Sequence, residues 1–510
     1  MTHEPKKSDS LILATKSANK AEGAAAETME RRRGAERNTT QDTTCRTQSR
    51  ENVSNGLDRV RQAAQADRKC CFTSLLHHVT TDLLRDAYHC LKRDAAPGVD
   101  GVTWEAYGEN REGNLTDLHA RVHRGAYRAQ PSRRRYIPKA DGRQRPLGIA
   151  ALEDKILQRA VVEVLNAIYE NDFLGLSYGF RPGRGQHDAL DALAYGIKTT
   201  PVNWILDADI RSFFDTVDHE WLMRFLEHRI GDRRILRLIR KWLKAGVMED
   251  GILTATETGV PQGSAVSPVL ANIYLHYVFD LWAHQWRKRH ARGHVMIVRY
   301  ADDIVVGFQH EDEARAFLSE LRERFAKFAL SLHPEKTRLI EFGRFATERR
   351  TRQEMDKPET FSFLGFMHIC GKTQNGRFML FRKSRSDRMR STLQAIKDQL
   401  RKRRHRSIPL QGRWLGQVVG GYLAYHAVPT NTPAIKAFRN CVVLLWLRTL
   451  RRRSQKDKTT WEMIARMAQQ WLPPARILHP WPEKRFDVKH SRREPSAGIP
   501  LARIYAGGVR

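Results

Sequence analysis

Apolar residues recur at helical spacing early in the chain. Leu83, Leu84, Ala87, Tyr88 and Leu91 share one face, and the Ala-Pro-Gly of 96–98 is placed to end that helix. A second helix is predicted from Glu153 to about Glu170, with Ile156, Ala160, Val161, Val164, Leu165 and Ile168 facing a core. The period then changes. Trp204-Ile205-Leu206 is a short apolar run leading into Asp207-Ala208-Asp209. Val295-Met296-Ile297-Val298 and Ile304-Val305-Val306 are β-branched runs joined by Arg-Tyr-Ala-Asp-Asp, which predicts a hairpin with acids at its tip. Beyond Thr360 the chain reads as helical and basic. Met389, Leu393, Ile396 and Leu400 form one stripe, while Arg388, Arg390, Lys397, Arg401, Lys402, Arg403 and Arg404 cover the rest, and a further basic helix is expected over Ala434–Arg453. Residues 1–55 read as a disordered polar extension, and the chain from Pro473 reads as extended.

Composition narrows the class. At 510 residues and 41% hydrophobic content the chain holds two or three globular domains. Lys plus Arg is 88 against 57 acidic residues, a formal net charge of +31, with a pI near 10.2. Self-repulsion of that size calls for a polyanion, and the usual one is nucleic acid. A membrane is the other candidate. However, the longest clean apolar run, Cys441 to Leu447, falls far short of the ~18 residues a spanning helix needs. The N-terminus lacks the apolar stretch of a secretory signal, so the expected location is the bacterial cytoplasm, with no membrane association. The six cysteines show no CxxC pair and no regular spacing, so they read as inert rather than as disulfides or a zinc site.

The chemistry starts from the acids. Asp302 and Asp303 sit on the expected hairpin turn and Asp209 ends a separate strand. Transfer of a nucleotidyl group uses two divalent cations about 3.5–4 Å apart, and hard cations such as Mg²⁺ take carboxylate oxygens. Turn propensity alone also produces Asp-Asp pairs, so the neighbouring residues decide. Arg299-Tyr300-Ala301-Asp302-Asp303 resembles the YxDD box of reverse transcriptases, and Asp209-Ile210-Arg211-Ser212-Phe213-Phe214-Asp215 resembles their first catalytic motif. Gly259–Pro268 resembles the PQGxxxSP motif, and its Ser-Pro ending favours the group II intron type over the diversity-generating type. Ile137-Pro138-Lys139 with Arg145-Pro146-Leu147-Gly148-Ile149 resembles the fingers motif, and Ser177–Arg184 the block after it. Pro97–Gly101 resembles the intron-type N-terminal extension, Leu332–Thr337 the block after the catalytic hairpin, and Phe361–Phe366 the primer grip. The likeness to bacterial group II intron-encoded reverse transcriptase/maturase proteins runs from about Arg59 to about Trp471.

That resemblance implies an α+β right-handed polymerase. Fingers with an N-terminal extension would occupy 56–200 and a palm with an antiparallel sheet 201–370. A helical thumb/maturase domain would follow over 371–472, and then a tail over 473–510, a candidate for a shortened DNA-binding region. It implies Asp209, Asp302 and Asp303 as catalytic ligands of two Mg²⁺ ions, with Asp207 and Asp215 structural. Lys139, Arg145, Phe214 and Gln262 become contacts to the deoxynucleotide, Phe214 by collision with a ribose 2′-hydroxyl. Lys336 neutralises or protonates the leaving pyrophosphate, and Phe363, Leu364 and Gly365 grip the primer. Arg388, Lys397, Arg401, Lys402, Arg403 and Arg404 are expected to contact RNA, while Trp414, Tyr422, Tyr425 and His426 either stack on bases or fill a core. Gly420–Tyr425 is similar to a short GW-x-x-Y-like element of the family but lacks its Trp. The implied activity is RNA-directed DNA polymerisation on an RNA template from a DNA primer with dNTPs. Maturase binding of the intron RNA and contact with target DNA go with it, and no HNH endonuclease is expected. Two other readings stand beside it: an RNA-binding splicing cofactor with a vestigial polymerase, and a host-adopted reverse transcriptase in defence or repair.

Overall fold

The computed structural model describes residues 56–138, 144–249, 251–255, 257–454 and 456–485. The extension over 1–55, Lys139 and the tail beyond 485 lie outside the described residues.

Helix α1 (Thr81–Cys90) starts where the Thr80 side chain accepts the Leu83 amide, and it buries Leu83, Leu84, Ala87 and Tyr88. It stops at Cys90. Leu91 is already extended, so the Ala-Pro-Gly of 96–98 lies beyond the end and does not set it. Strands β1 (Ser132–Pro138) and β2 (Gln144–Ile149) form an antiparallel fingers hairpin. Helix α2 (Leu152–Asp172) then crosses the molecule, buried along most of its length. Helix α3 (Gln186–Thr199) leads to β3 (Trp204–Asp209), which runs through the centre of the palm. Helices α4 (His219–Glu227) and α5 (Arg233–Lys244) follow, then strands β4 (Val247–Glu249) and β5 (Ile252–Thr254). Strand β4 pairs with β1 in parallel, giving a sheet of order β2-β1-β4-β5.

Helix α6 (Ser267–Leu275) passes through a π-helical turn, His276–Asp280, into α7 (Leu281–Arg289). Strands β6 (Val295–Tyr300) and β7 (Asp303–Phe308), helix α8 (Glu311–Lys327) and β8 (Arg338–Glu341) complete an antiparallel palm sheet of order β6-β7-β3-β8. Strands β6 and β7 are buried along nearly their whole length because both faces are covered. Leu206, Ala208, Ile304 and Val306 join the core that contains α2, whereas Ile205, Val298 and Val305 join a second core with α3.

The segment after Thr360 departs from the helical expectation. Strands β9 (Phe361–Phe363), β10 (Phe366–Lys372) and β11 (Phe378–Ser384) form a separate antiparallel sheet. A domain boundary at 370 would cut β10, and Phe361, Phe363, Phe366 and Leu380 pack in the same core as α3. The helical region begins at α9 (Ser386–Lys402) and continues with α10 (Ile408–His426), α11 (Thr432–Arg451) and α12 (Trp461–Trp471). These four helices share a third core that includes Ile396, Leu423, Trp446 and Ile464. Among the described residues, no helix is long and apolar enough to cross a membrane.

Candidate active site

Side chains alternate along a strand, so Asp207 and Asp209 leave the same face of β3. Asp209 stands directly opposite Asp303 in the β3–β7 register, and Asp303 also faces Tyr300 across β6–β7. Asp302 lies in the turn between β6 and β7. Acids far apart in sequence therefore meet at one end of the palm sheet, and Asp207 joins them.

The turn is held from beneath. Ala301 has φ +55°, a left-handed conformation costing an L-residue about 1–2 kcal/mol. Arg299, fully buried, satisfies all the needs of its guanidinium there. Its Nε and Nη2 donate to Asp280 at 2.7 and 2.6 Å, and Nη2 donates to Ser177 Oγ at 2.8 Å. Its Nη1 donates to Asn272 Oδ1 and to the Ala301 carbonyl, both at 3.0 Å. Asn272 in turn donates to the Gly179 carbonyl at 2.7 Å, and a Cβ on Gly179 would overlap the Ala301 amide. Asp280 closes the π-helical turn, a local widening that recurs at functional sites. Burial and the nearby Arg299 and Arg181 cations, outweighing Asp280, take His276 down to about 4, so it stays neutral beside this network.

Removal from water, then the charges of Asp302, Asp209 and Asp207, push the Asp303 carboxyl up to about 8, opposed by Arg388. Asp303 is nonetheless an exposed residue, so the crowding of like charges is the cause of the rise that its position supports. Burial raises Asp207 to about 6, with Asp209 adding to the rise and Arg338 opposing it. Lys336 Nζ donates to Asp209 Oδ2 at 2.7 Å, and the His333 amide donates to the Asp209 carbonyl at 2.8 Å. Among the described residues, no three His, Cys, Asp or Glu side chains make a ready-formed metal cage. Mg²⁺ seldom needs one: it takes one or two carboxylates, keeps waters and draws further oxygens from bound phosphates. Crowded carboxylates already carrying one ammonium group are a donor set of that kind.

Phe214 is half-buried, edge-on to Phe180 and Phe213, while Phe213 itself is core. Its carbonyl accepts the Val260 amide at 2.7 Å, and Gly259, at φ +86°, lets the Pro-Gln-Gly loop come that close. Gln262 Nε2 donates to Asp215 Oδ1 at 3.0 Å, and its carbonyl accepts the Gly148 amide of β2. The loop has a further anchor that sequence reading missed: buried Gln158 of α2 accepts Ser264 Oγ at 2.7 Å and the Ala265 amide at 3.0 Å. Arg145 stands opposite Ile137 in the fingers hairpin, with its side chain outside the described residues, as is Lys139.

Leu364 and Gly365, both at positive φ, form the two-residue turn between β9 and β10. Phe363 is 3% exposed and points into the core, and Gly365 is buried too, so of this trio only half-buried Leu364 keeps contact with solvent. The Leu364 carbonyl accepts Tyr425 Oη at 2.8 Å, tying the turn to α10. Arg388, in the first turn of α9, lies near Asp303 and Gly365, whereas Lys397, Arg401 and Lys402 further along the helix are exposed. Arg403 lies over the Trp414 ring at 4.9 Å. Tyr422 is buried and stacks on Phe438 with ring centroids 3.5 Å apart, so it is core, whereas His426 is half-buried with its Nδ1 3.0 Å from Ser384 Oγ.

Residues 137–368 match the family described as reverse transcriptase (RNA-dependent DNA polymerase). The palm, its paired acids and the Pro-Gln-Gly loop thus belong to a reverse transcriptase domain. The chain is 38% identical over 239 residues to protein YkfC of Escherichia coli (strain K12), covering 41% of this chain and 62% of that protein. It is 35% identical over 222 residues to the group II intron-encoded protein LtrA of Lactococcus lactis subsp. cremoris, covering 43% of this chain and 37% of LtrA. It is 44% identical over 146 residues to an uncharacterized 91 kDa protein in the cob intron of Schizosaccharomyces pombe, covering 29% of this chain and 18% of that protein. Over this region the chain is thus similar to a group II intron-encoded protein and to an intron protein. The chain spans less than two thirds of the length of each of these relatives.

Proposed function

We propose that this protein extends a DNA primer on an RNA template with deoxynucleotides, and that it binds a group II intron RNA to promote splicing. The supporting observation is the register that sets Asp209 opposite Asp303 beside Asp302. In this reading Asp209, Asp302 and Asp303 hold two Mg²⁺ ions, which supply charge neutralisation and activation of the primer hydroxyl. Phe214 presents an aromatic face against the sugar and excludes a 2′-hydroxyl. Gln262, fixed by Asp215, borders the nascent base pair. Lys336 carries its charge from Asp209 to the phosphates leaving the site, and the Leu364–Gly365 turn steadies the primer. Lys139 and Arg145 complete the triphosphate contacts from the fingers hairpin. Lys397, Arg401 and Lys402, with Arg403 and Arg404 behind them, offer a sequence-independent surface to RNA phosphates. Target DNA is a further partner of the same machinery.

Primer extension by the purified chain on an RNA template, beside Asp302→Ala, tests the polymerase. Removing one acid should lower the rate at least about 1000-fold, since charge stabilisation of several kcal/mol is lost. Equal extension by both proteins, or by neither, rejects the assignment. Splicing of the cognate intron at low Mg²⁺, with and without the protein, tests the maturase role. An unchanged splicing rate rejects that role.

A further inference from the structure

Helix α5 carries a row of cations that the polymerase site does not use. Its sequence, Arg-Arg-Ile-Leu-Arg-Leu-Ile-Arg-Lys-Trp-Leu-Lys, splits cleanly into two faces. Ile235, Leu236, Leu238, Ile239, Trp242 and Leu243 are buried. Arg233, Arg237, Arg240 and Lys244 are exposed and follow one another at steps of four, three and four, a single line along the helix. The helix contains no acidic residue, and among the described residues none of these four has an ion pair or side-chain hydrogen bond. Arg234, by contrast, is tied to its own cap, Asp232, at 3.5 Å.

This row does not serve the helix. Like charges at these spacings repel. Lys244 suits the C-terminal end of the helix dipole, but Arg233 sits at the N-terminal end, where a cation is unfavourable. The scaffold beneath holds the row rigidly. Asp232 accepts the amides of Leu75, Leu76 and Arg234 at 2.8, 2.9 and 2.8 Å. Trp242 Nε1 donates to Tyr127 Oη at 2.8 Å, and Lys241 donates to the Tyr127 carbonyl. A basic amphipathic helix can also be a membrane-surface element, but that requires a free apolar face. Here that face is the core.

We propose that the α5 row binds the phosphodiester backbone of a folded RNA outside the template cleft. The inference rests on the RNA-binding reading above. The four charges span about 16.5 Å, at 1.5 Å per residue, with neighbours about 5–6 Å apart. A straight, evenly spaced line of cations suits a run of phosphates and carries no base readout. Its anchors, the 72–76 segment and Tyr127, lie towards the N-terminal and fingers regions, and none of them is a residue of the acidic cleft.

The test compares the full chain with an R233Q/R237Q/R240Q/K244Q variant, both checked for equal thermal unfolding. The probes are a transcribed group II intron RNA, a DNA duplex of similar length and a short RNA template–DNA primer. On the intron RNA, the slope of log Kobs against log salt should become shallower by about 3, from four phosphates at 0.7–0.9 each, with affinity at least tenfold weaker. Extension of the short template–primer should stay within twofold. An unchanged slope with tight wild-type binding makes the row a solvated face and overturns the proposal. Weak binding by the wild type itself sinks the underlying RNA reading instead. An equal loss on the DNA duplex assigns the row to DNA, and a matching loss of short-primer extension assigns it to the cleft; either result overturns the proposal as stated.

Discussion

Arg299 and the arginines of α5 are the same side chain in opposite settings. Arg299 has no solvent contact and makes five hydrogen bonds, two of them to a carboxylate that is itself fully buried. Arg233, Arg237 and Arg240 stand in water with no partner among the described residues. A buried charge survives only when every donor is matched, so Arg299 marks a place where geometry is fixed. An exposed charge adds little to stability, so a row of them points to recognition rather than architecture, as the α5 proposal holds. The contrast separates architecture from recognition in a chain where basic residues dominate.

Removing Arg299 should have the largest effect. Arg299→Ala leaves Asp280 buried and uncompensated, which typically costs about 3–5 kcal/mol, and it frees the Ala301 carbonyl. Denaturant unfolding measures the first effect. The second should appear as a fall in kcat with the dNTP KM little changed, because the turn is mispositioned while the nucleotide pocket stays intact. Replacing Asp280 as well with Leu should restore part of the stability but not the turnover. If the single variant unfolds like the wild type, the distinction between the two classes of arginine fails.

Gly179→Ala should be next. The added methyl would meet the Ala301 backbone rather than a yielding side-chain end, so an overpacking cost of about 1–3 kcal/mol is expected. Turnover should fall with it. The same unfolding and steady-state measurements check this, and a silent substitution would show that the turn is not buttressed from that side.

The acids, the hairpin and α2 were legible because their signals are local. The apolar period of α2 and the β-branched runs flanking Tyr-Ala-Asp-Asp each lie within a dozen or so residues. Arg299 was legible only as part of a motif. Its partners, Asp280, Asn272 and Ser177, lie 19, 27 and 122 positions away, and no spacing rule joins them. Gln158 escaped for the same reason, since its partners are 106 and 107 positions distant. The hairpin at 361–366 was legible from its motif, but the misread of 367–384 differs. Strand β10 alternates buried and half-exposed side chains at Phe366, Met367, His368 and Ile369, but both sets are largely apolar, so the period of two in burial leaves no polar alternation in the sequence. Phe363 was placed at the primer because its motif is, although strand alternation turns it inward with Phe361.

A third kind of buried base tests the comparison through pH. His368 is fully buried and stacked on Phe361, and among the described residues neither ring nitrogen has a well-formed hydrogen bond, the Phe366 backbone giving only a weak opposing contact; the nearby cation Arg382 is already paired with Asp191. Without a carboxylate of its own the imidazole must discharge, and burial, aided by Arg382, takes it down to about 3. The folded value lies below the unfolded one, near 6.5, so between them the unfolded chain binds a proton that the folded chain does not. Stability therefore declines as pH falls below about 6.5. One proton corresponds to about 1.4 kcal/mol per pH unit. The stability difference between His368→Phe and the wild type should move by up to that amount, in favour of the variant, from pH 6.5 to 5.5. Parallel unfolding curves at the two pH values would show that the ring is charged and paired in the folded protein.

The smallest stability effect should come from α9. Lys397, Arg401 and Lys402 are exposed, so changing all three to Gln should leave unfolding within about 0.5 kcal/mol per site. Binding should tell another story, with the salt slope on RNA becoming shallower by about 1 for each phosphate no longer neutralised. Arg388→Gln is the informative companion. It belongs to the same helix, yet it stands near Asp303 and the Leu364–Gly365 turn, so its removal should act on primer extension more than on the salt slope. Were Arg388→Gln to change only the salt slope while the outer trio changed extension, the division of α9 into a cleft end and an RNA face would be reversed, since proximity to the acids, not charge alone, assigns each cation its task.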